Sequence, residues 1–279
     1  VEIRPCHLPA VPEKDFPLWL PPLGEYTASL TGYFRAQGVD AHALPHLSAH
    51  ALSLGRAETG AKEYLPFPAL LGGILAQQEA DPAPAQFLIP QTQGAEADGQ
   101  YARVIRAVLD RRGNKRAKLV SPMLETLPAT AQDRDALFRA LLAGDILYAA
   151  PAAMRAGIAA AWDTLPGWAQ LHKAAVEIGR CPATGRRLAT VGTPLCLTEL
   201  DSGVLSTLEA EGSQLLRAPL SEALWFLWKD NMDANKPCAK WLEQMAQEMQ
   251  TIGAELGAHS TFAQDTAALF ETADTILPH

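Results

Sequence analysis

Two short segments of this sequence hold the residue types best suited to chemistry. The first, Gly55-Arg56-Ala57-Glu58-Thr59-Gly60-Ala61-Lys62-Glu63-Tyr64-Leu65-Pro66, puts two Gly, two Glu and a helix-opening Pro in one turn region. The second, Pro90-Gln91-Thr92-Gln93-Gly94-Ala95-Glu96-Ala97-Asp98-Gly99-Gln100-Tyr101, follows an apolar strand and precedes a helix. Backbone N–H groups at a helix start attract anions, whereas Glu96 and Asp98 complement the helix dipole themselves and repel an anion. If the segments meet, Glu63, Tyr64, Glu96, Asp98 and Tyr101 line a cleft with Gly94, Gly99 and Gln100 in its frame. Paired carboxylates beside a Tyr suit general acid–base work, and crowding pushes their pKa values apart. The residues alone leave a binding site and a pair of ordinary connections both open, and they assign no catalytic residue and no metal ligand.

Other constellations are weaker. His42, His46 and His50 are spaced to stack on one helical face, but Pro45 breaks any helix between the first two, so an exposed loop-to-helix segment is expected and not a metal site. Cys181-Pro182-Ala183-Thr184-Gly185 is half of a zinc-ribbon knuckle without its other half. The basic run from Arg111 to Lys118 falls at a helix C-terminus, where cations offset the dipole, and reads as a solvated turn. The phosphate-loop, dinucleotide, zincin and nucleophile-elbow motifs are all absent.

The elements that must position these segments alternate between short strands and amphipathic helices. Strands are expected at 17–20, 40–45, 86–90, 118–121, 187–192 and 214–217. Helices are expected at 25–37, 48–55, 66–79, 100–112, 199–211 and 221–229. An Ala-rich helical stretch covers 132–179, with breaks near Pro151 and Pro166, and 236–275 is mostly helical with breaks near Gly253 and Gly257. This predicts an α/β fold: a mostly parallel sheet with helices on both faces, built from βαβ units, plus an Ala-rich helical segment. The expected division is an N-terminal extension or linker (1–15), an α/β unit with the two loops (16–130), a helical segment (131–185), and a second βαβ unit with C-terminal helices (186–279). In such folds ligands bind beyond the carboxyl ends of the strands, so the loops at 21–25, 91–99, 121–125 and 193–201 are the places to inspect.

The 279 residues carry 23 Lys+Arg against 31 Asp+Glu, a net charge of −8, which argues against a nucleic-acid partner. No run of about 18 apolar residues occurs, so no membrane span is expected. The opening Val1-Glu2-Ile3-Arg4-Pro5 is no signal peptide, and without an initiator Met it reads as a fragment or a processed chain. Cys6, Cys181, Cys196 and Cys238 are too scattered for a secreted disulfide framework, so a cytoplasmic location is the default expectation. Oligomeric state is left open.

The two segments carry a resemblance. The chain resembles the 2-hydroxyacyl-CoA dehydratase-like proteins found with, or fused to, CoA-substrate-specific enzyme activases. In that family a stretch like Leu-Gly-Arg…Ser-Gly-Glu-Cys-Leu-Pro is followed by a strand and Pro-x-x-x-Gly-Pro-Cys-Arg-x-Gly-Gln-Tyr. The counterparts are Leu54-Gly55-Arg56…Thr59-Gly60-Ala61-Lys62-Glu63-Tyr64-Leu65-Pro66 and the segment from Pro90 to Gln100-Tyr101. Ser121-Pro122, Gly144-Asp145-Ile146-Leu147, Val191-Gly192, the 208–215 segment and Pro219-Leu220-Ser221-Glu222 extend it over most of residues 16–230.

The resemblance implies an iron–sulfur cluster held by the two family cysteines, and both are replaced: Tyr64 stands at the first and Glu96 at the second, with Ala97 for the following Arg. A phenol and a carboxylate are poor ligands for iron–sulfur chemistry, so no cofactor is expected. A cluster-free accessory, scaffold or regulatory domain follows, with another subunit or domain of the same system as partner. One alternative is an enzyme or ligand-binding domain with a repurposed cleft for an acyl-CoA-like or other small molecule; an activity would then be that of a CoA-thioester lyase or its redox accessory. A second is a fragment serving as an interaction module, with Trp225, Phe226 and Trp228 as an apolar anchor or as core.

Overall fold

The computed structural model describes residues 8–60, 62–91, 97–123, 131–162, 164–182, 186–190, 207–231 and 236–262. Its first half holds β1 (Leu18–Leu20), α1 (Glu25–Ala36), β2 (Ala41–Ala43), α2 (Ala49–Glu58), α3 (Pro66–Ala80), β3 (Ala85–Leu88), α4 (Tyr101–Arg111) and β4 (Ala117–Val120). Local chemistry sets these bounds. Pro21 and Pro22 cannot donate to a ladder and end β1. Ser48 caps α2 by accepting from the Ala51 N–H at 3.0 Å. Pro66 opens α3, where its missing N–H costs nothing.

The four strands form one parallel sheet in the order β2-β1-β3-β4, with Leu18 opposite both Ala41 and Gln86 and Phe87 opposite Leu119. Strand side chains alternate between faces. Leu18, Leu20, Leu88 and Val120 pack against α1 and a helical layer, whereas Phe87, Ile89 and Leu119 pack against α3 and α4 on the other side. The sheet is thus covered on both faces, as an α/β protein with parallel strands requires. From β1 the chain steps outward to β2 and then returns across β1 to β3, so the strand order reverses between β1 and β3. The N-terminal segment lies along the sheet: Gln86 exchanges hydrogen bonds with the Glu13 backbone, and Ser121 N–H donates to Pro9 O at 2.7 Å.

The second half adds α5 (Ala131–Ala149), α6 (Ala152–Ala160), α7 (Trp168–Gly179), β5 (Arg187–Thr190), β6 (Gln214–Arg217), α8 (Leu220–Asn231) and α9 (Lys236–Leu256). β5 and β6 pair in parallel as a separate two-stranded sheet. One apolar cluster runs without interruption from Leu18 through Phe138, Ile146, Leu171 and Trp228 to Ile252 and Leu256, so these helices share a core with β1 and α1. Trp228 is fully buried and the half-buried Trp225 donates to Leu242 O at 2.9 Å; both serve the core. The Phe226 side chain lies outside the described set.

The end of α9 differs from expectation. α9 runs through Gly253 and stops only at Gly257, where the backbone takes the left-handed φ of +55° and enters the 3-10 turn Gly257–His259. The expected helix at 199–211 is described only at 207–210; its remainder, the loop at 193–201 and the expected helical stretch 263–275 lie outside the described residues.

Candidate functional site

The strand reversal places the crevice at the carboxyl ends of β1 and β3. After β1 the chain turns through Pro21–Gly24 into α1. This turn is gripped from α5: Tyr148 Oη accepts from Glu25 N–H at 3.1 Å and faces Leu23 O at 3.4 Å, while Leu23 N–H donates to Thr27 Oγ1 at 2.7 Å. β3 and β4 stay together past their ends. Ile89 N–H donates to Val120 O, Gln91 N–H donates to Pro122 O, Ser121 Oγ donates to Ile89 O at 2.6 Å, and the Gln91 amide donates to Ser121 Oγ. Gln91, the first residue of the second loop, is therefore fixed to the sheet.

The starts of α3 and α4 meet beside this edge. The Phe67 and Tyr101 rings lie 5.0 Å apart and both are buried. Residues 97–100 form a 3-10 turn running into α4, with Gly99 buried and Gln100 exposed. Glu63 and Tyr64 are exposed, Tyr64 by 74%. Gly94, Glu96 and the Asp98 side chain lie outside the described set. The two segments are thus neighbours through Phe67 and Tyr101, while Glu63, Tyr64 and Gln100 form no enclosed pocket among the described side chains. The glycine of Leu54-Gly55-Arg56 is a packing residue: a Cβ there would stand 1.8 Å from Pro68 O.

The histidines diverge. His42 Nε2 pairs with Asp40 at 2.8 Å, and His50 Nε2 pairs with Glu79 at 2.9 Å. Among the described residues no group of three His, Cys, Asp or Glu side chains is arranged to hold a metal, and no helix is long and apolar enough to cross a membrane. In the basic run, Arg111 and Arg112 bind Glu58, Arg116 donates to Pro82 O and Lys118 binds Glu13, so much of its charge is matched internally.

Two polar clusters have no counterpart among the residues singled out for chemistry. Asp145, on α5, is 2% exposed. Its Oδ1 accepts from Tyr26 Oη and from Leu220 N–H at 2.8 Å, and its Oδ2 accepts from Ser221 N–H at 3.1 Å. The carboxylate therefore caps the start of α8 and ties it to α1 and α5. Burial pushes its pKa up to about 6, against the hydrogen bonds from Ser221, Tyr26 and Leu220 that favour the charged form. It faces only donors, which is the setting of a structural anchor and not of a proton-abstracting base. The signal in the sequence is a lone carboxylate inside the apolar run Leu141-Leu142-Ala143-Gly144-Asp145-Ile146-Leu147. Gly144 leaves room for the Tyr26 ring, which lies 2.1 Å from where its Cβ would be.

The second cluster borders a cavity of about 150 Å³ between the α5–α6 junction and β6. Arg155 forks onto Glu209 and donates from Nε to Leu147 O and Ala150 O. Opposite, the buried His259 contacts the Gln214 amide at 3.1 Å through Nδ1 and Cys181 O at 3.0 Å through Nε2. Arg217 lies 4.0 Å over the ring of Tyr148, which also lines this space.

Comparison with known proteins finds no matching family model, no matching curated protein and no matching solved structure, so the resemblance rests on the sequence segments themselves.

Proposed function

We propose that this chain is a cluster-free relative of the 2-hydroxyacyl-CoA dehydratase-like proteins associated with CoA-substrate-specific enzyme activases, acting as an accessory or scaffold domain. The observation that supports the reading is the contact of Phe67 with Tyr101. It brings the starts of α3 and α4, which carry the two family-like segments, together beside the carboxyl edge of the sheet. At the first of the two matched ligand positions the side chain is the exposed phenol of Tyr64, and at the second the sequence has Glu96. Hard oxygen ligands are poor replacements for thiolates around iron and sulfide. The frame is kept and the electron-transfer chemistry is not, and the natural partner is another subunit or domain of the same system, in the cytoplasm.

The exposure of Glu63, Tyr64 and Gln100 offers an acid–base cleft no enclosed wall, so the accessory reading is preferred to an enzyme with a repurposed site. Purification of the chain under anaerobic conditions, followed by iron and acid-labile sulfide analysis, tests it. The expected result is iron and sulfide far below one equivalent; stoichiometric amounts of both overturn the reading.

A further inference from the structure

One imidazole joins α7 to α9. His172 Nδ1 lies 2.8 Å from Glu255 Oε2, and His172 Nε2 lies 2.9 Å from Glu248 Oε2. An ionised carboxylate only accepts hydrogen bonds, so both contacts are bonds only when both ring nitrogens carry protons. The geometry is that of an imidazolium between two carboxylates. Glu248 and Glu255 are seven residues apart on α9, about two helical turns, which sets them on one face to bracket the ring. Loss of the proton turns one bond into a lone pair facing a carboxylate oxygen.

The backbones touch at the same turn. A Cβ on Gly179, at the end of α7, would stand 1.9 Å from Glu255 O. Just beyond, the 3-10 turn Gly257–His259 places His259 against Cys181 O and Gln214, where it forms part of the wall of the cavity. The end of α9 and that wall are therefore one mechanical unit.

We propose that His172, Glu248 and Glu255 form a proton-operated latch, which holds the end of α9 and the His259 turn against α7 when His172 is protonated and loosens both when it is not. The charged groups facing the ring are the two glutamates of α9. On its own helix Lys173 lies 3.9 Å from Glu177. From α5, Asp135 accepts from Trp168 and Arg139 donates to Pro166 O, both at the far end of α7. The turn after α9 presents His259, whose ring is committed to Cys181 and Gln214.

Burial alone would lower the His172 pKa, but the hydrogen bonds to Glu248 and Glu255 outweigh it and raise the value above the ordinary 6.5. A raised value means that the folded state binds this proton more tightly than the unfolded chain. The latch is therefore fully engaged below 6.5 and is lost as pH rises through the raised value.

The test uses the full chain. Side-chain nitrogen NMR of His172, assigned by its loss in His172→Gln, gives the titration midpoint. Hydrogen exchange gives the protection of residues 248–259 relative to α1 amides in the same molecule, which cancels the intrinsic pH dependence of exchange. The expected midpoint lies above 6.5, and relative protection falls across it by about tenfold for each unit of elevation. His172→Gln abolishes this dependence. Glu255→Gln keeps the shape of the clasp and moves the midpoint down. A midpoint at or below 6.5 in the wild-type chain overturns the proposal, as does an unchanged pH dependence of protection in His172→Gln.

Discussion

Gly72→Ala is expected to destabilise the protein by about 3 kcal/mol, whereas Gly73→Ala, one residue away, is expected to be neutral or stabilising by up to about 1 kcal/mol. Both glycines lie inside α3, and intrinsic helix propensity favours Ala at both by nearly the same amount. What separates them is what a Cβ would meet. At Gly73 the nearest atom is the flexible end of Leu44 at 3.8 Å. At Gly72 it is the backbone oxygen of Ala51 at 1.9 Å, with the Ala51 carbonyl carbon at 2.7 Å.

A carbonyl inside α2 cannot rotate away, so the helices must part. Gly55 of α2 makes the reciprocal approach to Pro68 O at 1.8 Å, so the pair is closed from both sides. Separation would pull α3, with the buried Leu70, Leu71 and Ile74, off the core it shares with Phe87 and Leu119. The steric cost exceeds the propensity gain. Chemical denaturation with the unfolding midpoint as readout checks the pair, and equal shifts for the two variants would contradict the close-packed α2–α3 contact.

The second large effect is at Asp145. Asp145→Ala leaves the Tyr26 hydroxyl and the Leu220 and Ser221 N–H groups buried without their shared acceptor. A lost partner costs about 1–3 kcal/mol for each donor left buried, and some relaxation is expected, so a loss of about 3–5 kcal/mol follows. Tyr26→Phe removes one donor and leaves the two amide bonds, and is expected to cost about 1–2 kcal/mol. The double variant should lose less than the sum, because the two side chains act on one another. Equilibrium unfolding of the four proteins in this cycle measures the coupling. Strict additivity would show that Tyr26 and Asp145 do not share a bond in solution.

What the sequence displayed follows from the range of the interactions involved. Alternating apolar residues, Pro boundaries and helix caps act within a few residues, and the strand at 214–217 and the starts of α1 and α3 were legible from them. Gly253 read as a break, yet α9 continues through it, since a lone glycine is tolerated inside a long helix. The latch was invisible, since Glu248 and Glu255 lie 76 and 83 residues from His172. The regular spacing of His42, His46 and His50 was the converse case, a local pattern dissolved by three different environments: a strand, a loop and a helix. Of the candidate site, the neighbourhood of the two segments could be suspected from the sequence. The contact that joins them, Phe67 with Tyr101, could not, because the two residues are 34 apart in the chain and no local pattern pairs them.

The reading of the chain as a family frame with its ligands replaced is tested most directly by restoring them. Tyr64 is largely exposed, so its substitution disturbs little packing. In the double variant Tyr64→Cys, Glu96→Cys, titration with Cd²⁺, a soft ion that reports thiolate coordination through ultraviolet charge-transfer absorption, should reveal one tight equivalent absent from the wild-type chain and from either single variant. Binding by the pair alone would place positions 64 and 96 together as ligands of one site. Identical Cd²⁺ titrations for the double variant, the single variants and the wild-type chain would contradict the shared frame.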